Sequence, residues 1–177
     1  MIAFIVELLV SGSLTQGLAG LMLLLGGLVF AVCALALSFN DLREHRLPNR
    51  IIYPWAGITL GLLIITALLL GEPFAALRAL TAAFVWGASF LIVQMISPRA
   101  LGMGDVKLAV VLGLYTGFLG WATVVAAVVL SFLFGGLVSA GLLISGRATA
   151  KTAVAFGPFL LLGTAVALTV SGGVSLG

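Results

Sequence analysis

Residues 108–146 carry no charged side chain, and this stretch constrains the fold more strongly than any other feature of the chain. About 20 apolar residues cross a hydrocarbon core of roughly 30 Å, so the stretch is too long for a single membrane-spanning helix. A glycine-rich turn at 117–120 divides it, which predicts a short span at about 105–118 and a longer one at about 120–145.

Composition extends this interpretation to the whole chain. Hydrophobic residues make up 63% of the 177 residues and charged residues only 7%, with a mean hydropathy of +1.36. Soluble domains carry roughly 25% charged residues, so lipid must be the solvent of this chain. We predict one all-α transmembrane domain over residues 1–177, a polytopic bundle of about six helices whose other spans cover about 17–39, 51–70, 77–97 and 153–171. The segment 2–10 is too short to span and is expected at the membrane interface.

The basic residues predict how the bundle is oriented. Cytoplasmic loops of membrane proteins carry an excess of Lys and Arg. One basic residue, Arg78, lies near the second connection, whereas the others lie in or beside the first, third and fifth: Arg43, Arg46, Arg50, Arg99, Lys107, Arg147 and Lys151. We therefore predict a multi-pass protein of the cytoplasmic (inner) membrane, with these three loops inside and both termini outside.

Several classes of function are disfavoured by what the chain lacks. With a single cysteine, Cys33, and a single histidine, His45, it can form neither an intramolecular disulfide nor a cysteine-type metal site, so we expect no metal and no cofactor. The basic residues lie in short loops rather than in a patch, so nucleic acid is not an expected partner. The first residues have no basic segment and include Glu7, which argues against a cleaved signal peptide.

Two of the acidic residues stand apart from the others. Asp41 ends the first predicted span and Asp105 begins the short fourth one, so both border cytoplasmic loops at the same membrane face. Each has a simple structural interpretation, because Asp41 can pair with Arg43 and Asp105 can cap a helix N-terminus. Ionisable residues at the boundary of a membrane bundle nevertheless form a functional-site hypothesis.

The residues around Asp105 favour a catalytic interpretation. Gly102 and Gly104 flank its approach, and glycine permits backbone conformations and close approaches that a Cβ forbids. Two carboxyl groups brought close together share one proton, since like charges do not both ionise easily. The ionised member can act as a general base on water while the protonated member polarises a peptide carbonyl. Asp41 and Asp105 are therefore a candidate catalytic pair for peptide hydrolysis.

Three segments of the chain carry motifs around these residues: Asp41-Leu42-Arg43-Glu44-His45-Arg46-Leu47-Pro48-Asn49, Gly102-Met103-Gly104-Asp105-Val106-Lys107-Leu108 and Phe156-Gly157-Pro158-Phe159. They resemble segments of the type IV prepilin peptidases, membrane aspartic peptidases of the GxGD group. A lone GxGD is weak evidence, whereas the three segments occur together in the family's order. The resemblance implies that Asp41 and Asp105 are the catalytic pair. It also implies prepilin-like protein substrates, from which a short basic leader is cut at the cytoplasmic membrane face.

Other residues are expected to support this site or to bind the substrate. The supporting residues are Gly102, Gly104, Lys107, Pro48 and Asn49. Pro48-Asn49 is interpreted as a turn and helix cap. Lys107 is interpreted either as a snorkelling residue that sets orientation or as one that biases the ionisation of the aspartate. Glu44 is the candidate for binding the basic leader, and Gly157-Pro158 is expected to be structural, as a kink or a helix start.

The single cysteine bears on a second activity of the resembled family. Many of its members carry an additional cytoplasmic domain with paired cysteine motifs, which is linked to N-methylation of the new N-terminus. This chain has only Cys33 and resembles the short, peptidase-only members. We therefore expect no methyltransferase activity.

Two other functions stay open at this point. A presenilin-like intramembrane peptidase shares the GxGD element, but it is expected to place a Tyr-Asp pair in the middle of a helix, whereas Asn40-Asp41 lies at a helix end. A small transporter can bind cations at boundary aspartates. Such a protein more often shows acids near the bilayer midplane and a repeat of broken helices, and neither is visible in the sequence.

Overall fold

A computed structural model describes residues 1–44, 48–97, 101–145 and 156–171, with only the backbone of Leu42 and Glu44. In these residues the chain forms seven α-helices and no strand, which confirms the predicted all-α membrane bundle. The helices are α1 (Ile2–Val10), α2 (Leu14–Glu44), α3 (Asn49–Leu70), α4 (Pro73–Ile96), α5 (Met103–Leu119), α6 (Trp121–Ile144) and α7 (Gly157–Val170).

Four of these helices are long and apolar enough to cross a membrane: α3, α4, α6 and the part of α2 over Leu14–Asp41. The other two that overlap predicted spans are shorter, with 17 residues in α5 and 14 in α7. Pro73 and Pro158 lie in the first turns of α4 and α7, where a missing backbone N–H is tolerated. The count of six spans and the outside position of both termini stay predictions.

The helix α5 lies at the centre of the bundle. It packs against α3, α4, α6 and α7, and its residues after Gly104 are buried except Lys107 and Val110. A helix that is apolar on all sides belongs in the interior. Because neighbouring helices shield it, α5 is accommodated although it extends only about 25 Å at 1.5 Å per residue. It ends at Leu119, and Gly120 turns the chain into α6 with φ 142°, a conformation that favours glycine.

Small residues bring α4 and α5 into close contact. A Cβ on Gly113 would lie 2.5 Å from the Cα of Ala83, and one on Gly117 would lie 2.4 Å from the Cβ of Ala82. In lipid, helices associate through van der Waals contact rather than the hydrophobic effect, and small residues let their backbones approach. Gly113 and Gly117 are four residues apart and share one face of α5. This face fixes the position of α5, and with it Asp105, against α4.

Arg78, the basic residue that departs from the predicted charge distribution, binds the C-terminal end of α5. Its Nε donates a hydrogen bond to the carbonyl oxygen of Gly117 and its Nη2 donates one to that of Phe118, each at 2.8 Å. The last carbonyls of a helix lack partners within the helix, and the helix dipole favours a cation there. Arg78 therefore has a structural role at the end of α5 opposite Asp105.

Replacing Arg78 with glutamine is expected to destabilise the bundle by about 2 kcal/mol or more, because two carbonyls lose a charged hydrogen-bond donor. Arg78→Lys keeps the positive charge but lacks the planar set of N–H donors of the guanidinium, so it should be destabilised less than Arg78→Gln and more than the wild type. Thermal unfolding of the purified protein in detergent measures both variants. Arg50→Gln, at an exposed position in the first turn of α3, is the control for loss of a positive charge. Unchanged melting of Arg78→Gln would contradict the capping role.

A buried hydrogen-bond cluster joins α5 to α2 and α3. The Tyr115 hydroxyl accepts hydrogen bonds from Trp55 Nε1 at 3.0 Å and from Thr59 Oγ1 at 2.9 Å, and it donates one to the carbonyl oxygen of Gly26 at 3.0 Å. Buried polar groups need such partners, because an unpaired one is costly away from water. The cluster therefore holds α2 and α5, the helices that carry the two candidate aspartates, in a fixed relation.

The first helix packs back along the second. Leu8 and Leu9 lie against Gly20, and the Met1 side chain lies against Gly27, so α1 runs antiparallel to α2. The sequence predicts that this segment lies at the membrane interface. That placement stays a prediction, and within the structure the segment packs lengthwise against α2, where Ile5 and Leu8 are buried.

Candidate active site

Asp41 lies in the last turn of α2 and is buried, with only 6% of its surface exposed. Because α2 continues to Glu44, Asp41 belongs to the helix rather than to the loop after it. The backbone N–H of Gly157, at the start of α7, donates a hydrogen bond to its Oδ2 at 3.2 Å. This bond orients the carboxyl group and joins two helices that are far apart in the sequence.

Asp105 lies in the first turn of α5 and is buried, with 9% of its surface exposed. Its Oδ2 accepts a hydrogen bond from the backbone N–H of Gly102, the N-cap residue, at 3.3 Å. A carboxylate three residues into a helix commonly makes this bond. Asp105 therefore has the capping role that its position suggested. That bond uses only Oδ2, and Oδ1 lies towards Gly157.

Gly157 is the place where the two aspartates meet. The position that a Cβ would occupy on Gly157 is 2.6 Å from Oδ2 of Asp41 and 3.6 Å from Oδ1 of Asp105. These two distances, taken end to end, place the two carboxyl oxygens no more than about 6.2 Å apart. The structure thus brings together the two residues that the sequence predicted as a pair.

The electrostatics of this pair follow from its burial. The two carboxyl groups are close enough to interact through their charges. Like charges that are shielded from water do not both ionise easily, so the pair favours a state with one shared proton. Two hydrogen bonds of about 2.7–3.0 Å span at most about 6 Å, so a separation within the upper bound is compatible with one water molecule bonded to both groups. The arrangement can therefore supply one base, one acid and a positioned water.

The backbone approaches an aspartate more closely at Gly157 than at Gly102, one of the two glycines for which the sequence predicts a close approach. Gly102 has φ −76° and ψ 148°, which any residue adopts, and a Cβ there would be in ordinary contact with the Asp105 carboxyl at 3.4 Å. Gly104 lies within the first turn of α5. On Gly157, by contrast, a Cβ only 2.6 Å from Oδ2 of Asp41 would displace that carboxyl group.

Gly157 and Pro158 also begin α7, as expected of a helix start. From the sequence they were given only this structural role, and the contact of Gly157 with both aspartates was missed. A signal for it exists in the sequence. A glycine directly before a proline in the first turn presents an unpaired N–H at a helix N-terminus, and such a group binds carboxylates well.

Lys107 faces α3 rather than Asp105. Its Nζ donates a hydrogen bond to Oδ1 of Asn49 at 2.9 Å and lies 5.2 Å from the centroid of the Tyr53 ring. Of the predicted Pro48-Asn49 cap, Pro48 is the N-cap residue of α3, whereas the Asn49 side chain accepts a hydrogen bond from Lys107. These contacts support a structural role for Lys107, in which it ties the start of α5 to the start of α3.

The other predicted residues lie at the edge of the described structure or beyond it. Arg43 places its guanidinium 4.0 Å from the centroid of the Phe39 ring, a cation–π contact. The side chain of Glu44, the candidate for binding a basic leader, is outside the described residues, as are His45 and Arg46. Within the residues that the structure describes, no three His, Cys, Asp or Glu side chains come together as a metal site requires.

The fold and the buried aspartate pair define a multi-pass membrane protein with a carboxyl-lined candidate active site between helix ends. The model of the Type IV leader peptidase family matches residues 28–140, and the chain belongs to this family, which confirms the resemblance noted in the sequence.

Two curated relatives illustrate the extent of the similarity. The chain is 30% identical over 172 residues to the prepilin leader peptidase/N-methyltransferase of Burkholderia pseudomallei (strain 1026b), covering 90% of this chain and 52% of the relative. It is 29% identical over 147 residues to the prepilin leader peptidase/N-methyltransferase of Aeromonas hydrophila, covering 81% of this chain and 49% of the relative. The chain thus spans about half the length of these relatives. No solved structure matches it.

Proposed function

We propose that this chain is an aspartic endopeptidase that removes a short basic leader from prepilin-like precursors at the cytoplasmic face of the membrane. The observation that carries the proposal is the meeting of Asp41 and Asp105 at Gly157, inside the bundle. Membership of the Type IV leader peptidase family and the names of the relatives support the substrate class.

In the proposed reaction, the ionised carboxylate removes a proton from the bound water as the water oxygen attacks the carbonyl carbon of the scissile peptide. The protonated carboxyl group donates a hydrogen bond to the carbonyl oxygen and stabilises the charge that develops there. The tetrahedral intermediate collapses when the leaving nitrogen takes a proton from the pair and the C–N bond breaks. One water is consumed, the leader leaves with a new carboxyl terminus, and the pair regains its shared proton.

The backbone donors are proposed to keep the carboxyl groups in place through this cycle. The N–H groups of Gly157 and Gly102 each bind one aspartate. Both are backbone groups at the start of a helix, so the helix itself fixes their position. Groups held in the reactive geometry before the reaction save the entropy of ordering them. The two carboxyl groups are therefore already ordered before the substrate binds, and the reaction does not have to order them.

The proposed location depends on the charge distribution of the loops. Arg43, Arg46 and Arg50 lie in or beside the first loop and favour its cytoplasmic position, and Asp41 lies in the last helical turn before this loop. The same arginines repel a basic leader, so recognition of the leader is proposed to use acidic groups and backbone carbonyls, with Glu44 as the candidate side chain.

The activity is tested by co-expressing the chain with a candidate precursor that has a short basic leader before an apolar helix. We expect a shift of the precursor to a shorter form, and the intact mass of the product identifies the bond that is cut. The same mass reports the state of the new N-terminus, which we expect to be unmethylated. A precursor that keeps its leader, with the chain inserted in the membrane, would contradict the proposal.

The orientation is tested by placing a cysteine in the first loop. In a Cys33→Ser background, Arg46→Cys is expected to react with a membrane-permeant thiol reagent in intact cells and not with an impermeant one, because this loop faces the cytoplasm. Opening the cells should make the same cysteine accessible to both reagents. Labelling by the impermeant reagent in intact cells would invert the orientation and place the site outside.

A further inference from the structure

A small apolar pocket is lined in part by the two residues that directly precede Gly102 and Gly157, the glycines that bind the aspartates. It has a volume of about 170 Å³ and is lined by Phe90 and Val93 of α4, Phe132 of α6, and Leu101 and Phe156, which precede α5 and α7. These side chains take no part in holding the carboxyl groups. The pocket therefore needs an explanation of its own.

The pocket is joined to the site through the backbone. Leu101 directly precedes Gly102, whose N–H binds one aspartate, and Phe156 directly precedes Gly157, whose N–H binds the other. Successive Cα atoms are about 3.8 Å apart. The Cα atoms of Leu101 and Phe156 therefore lie about that distance from those of the two glycines that orient the carboxyl groups. In an extended peptide the next residue lies only about 3.4 Å further along, so a peptide bond held at the aspartates brings a flanking side chain to this pocket.

Aromatic rings give the pocket its shape. The ring centroids of Phe90 and Phe132 are 6.2 Å apart, and those of Phe132 and Phe156 are 5.3 Å apart. Gly135 makes room for Phe156, because a Cβ there would lie 2.8 Å from the ring. Val93 and Phe132 are about half exposed, at 48% and 54%, on the outer surface between α4 and α6. The pocket can therefore be entered sideways, from the side of the bundle that faces lipid.

The size and the lining of the pocket indicate what it holds. An engineered protein cavity of about 150 Å³ lined by apolar side chains binds benzene, so about 170 Å³ accommodates one phenyl-sized or long aliphatic side chain. Sites for whole small ligands are usually larger, at about 300–1,000 Å³. Aromatic walls also offer edge-to-face contacts to an aromatic guest.

We infer that this pocket is the specificity subsite for one bulky apolar side chain that flanks the scissile bond of the precursor. The inference rests on the proposed peptidase function. In it, Phe90, Val93 and Phe132 determine which precursors are cut well, and none of them contacts the reacting atoms. Filling the pocket should therefore penalise bulky flanking residues selectively, whereas a general defect would affect every precursor alike.

The test uses the full chain in liposomes of phosphatidylethanolamine and phosphatidylglycerol, with synthetic precursors that carry a basic leader and an apolar helix. The two positions that flank the scissile bond are varied among Phe, Leu and Ala. Val93→Phe fills the pocket and is expected to lower kcat/KM for the best bulky-flanked precursor about tenfold or more, while the alanine-flanked precursor changes less than about threefold. Phe132→Ala widens the pocket and should weaken the preference for the bulky residue.

Matched substitutions elsewhere control for general damage. Val125→Phe makes the same change on the exposed face of α6, and Phe74→Ala makes the second change at the exposed start of α4. Neither control should alter the preference. The subsite would be overturned if Val93→Phe lost activity equally on bulky and alanine-flanked precursors. It would also be overturned if both pocket variants kept the wild-type preference, and the pocket would then be a site that lipid chains fill. A wild-type chain that cuts none of the precursors would overturn the proposed function itself.

Discussion

Asp41→Asn and Asp105→Asn should each slow leader removal at least about 100-fold, because a positioned acid or base typically contributes 10²–10⁴-fold to a reaction. An amide neither accepts a proton from water nor donates one to the leaving nitrogen, so each variant lacks a complete pair. Since the two groups act as a unit, the double variant should be little slower than the slower single variant. The rate is measured by mass spectrometry on precursor and chain reconstituted in liposomes.

An asparagine preserves the volume and one hydrogen-bond acceptor of the aspartate side chain. The bonds from Gly157 and Gly102 can therefore persist, and we expect both variants to insert and melt like the wild type. Glu72→Gln, at the N-cap position of α4, makes the same chemical change away from the pair and should leave the rate unaltered. A rate near that of the wild type in either aspartate variant would exclude a mechanism that uses two carboxyl groups.

Gly157→Ala is expected to lower the rate by up to about 100-fold, because a displacement of about 1 Å in a catalytic group can cost that much. The new Cβ would lie 2.6 Å from Oδ2 of Asp41, well inside van der Waals contact, so the carboxyl group must move away. Gly102→Ala introduces a contact of 3.4 Å with the Asp105 carboxyl, which is tolerable, and should cause a much smaller loss. The larger effect is therefore expected outside the GxGD segment.

The controls for Gly157→Ala separate the site from the fold. Gly136→Ala makes the same substitution in α6, where a Cβ meets nothing within 4 Å, and should leave both activity and thermal stability intact. Melting of Gly157→Ala in detergent shows whether the fold is preserved. If this variant folds and cuts the precursor as fast as Gly102→Ala does, the carboxyl groups do not hold the positions seen here during the reaction.

The general architecture was accessible from the sequence because its determinants are local. A run of apolar residues such as 108–146 can adopt few structures in lipid, because every backbone polar group there must be paired within the protein. The pairing of Asp41 with Asp105 was also accessible, since charges at helix ends are rare in this chain and have few partners. The family resemblance then supplied the reaction expected of such a pair.

The details that the sequence did not reveal depend on how helices dock. Gly157 contacts Asp41 only because α7 begins beside the last turn of α2. The Gly-Pro helix start predicts an unpaired N–H but does not indicate which carboxyl group binds it. Arg78 was counted as a loop charge, but it caps α5 because α4 and α5 pack closely through small residues. The Pro48-Asn49 pair is predicted as a turn and cap; Pro48 is the N-cap residue of α3, and Asn49 binds Lys107 because α3 and α5 start side by side.

The burial of α5 on nearly every side has a consequence for how the protein can vary. A helix that faces lipid can exchange one apolar side chain for another, because fluid acyl chains adapt to its shape. The side chains of α5 meet other side chains, packed as tightly as in a crystal, so each must keep close to its present volume. The helix that bears Asp105 should therefore accept the fewest substitutions of the helices in the bundle.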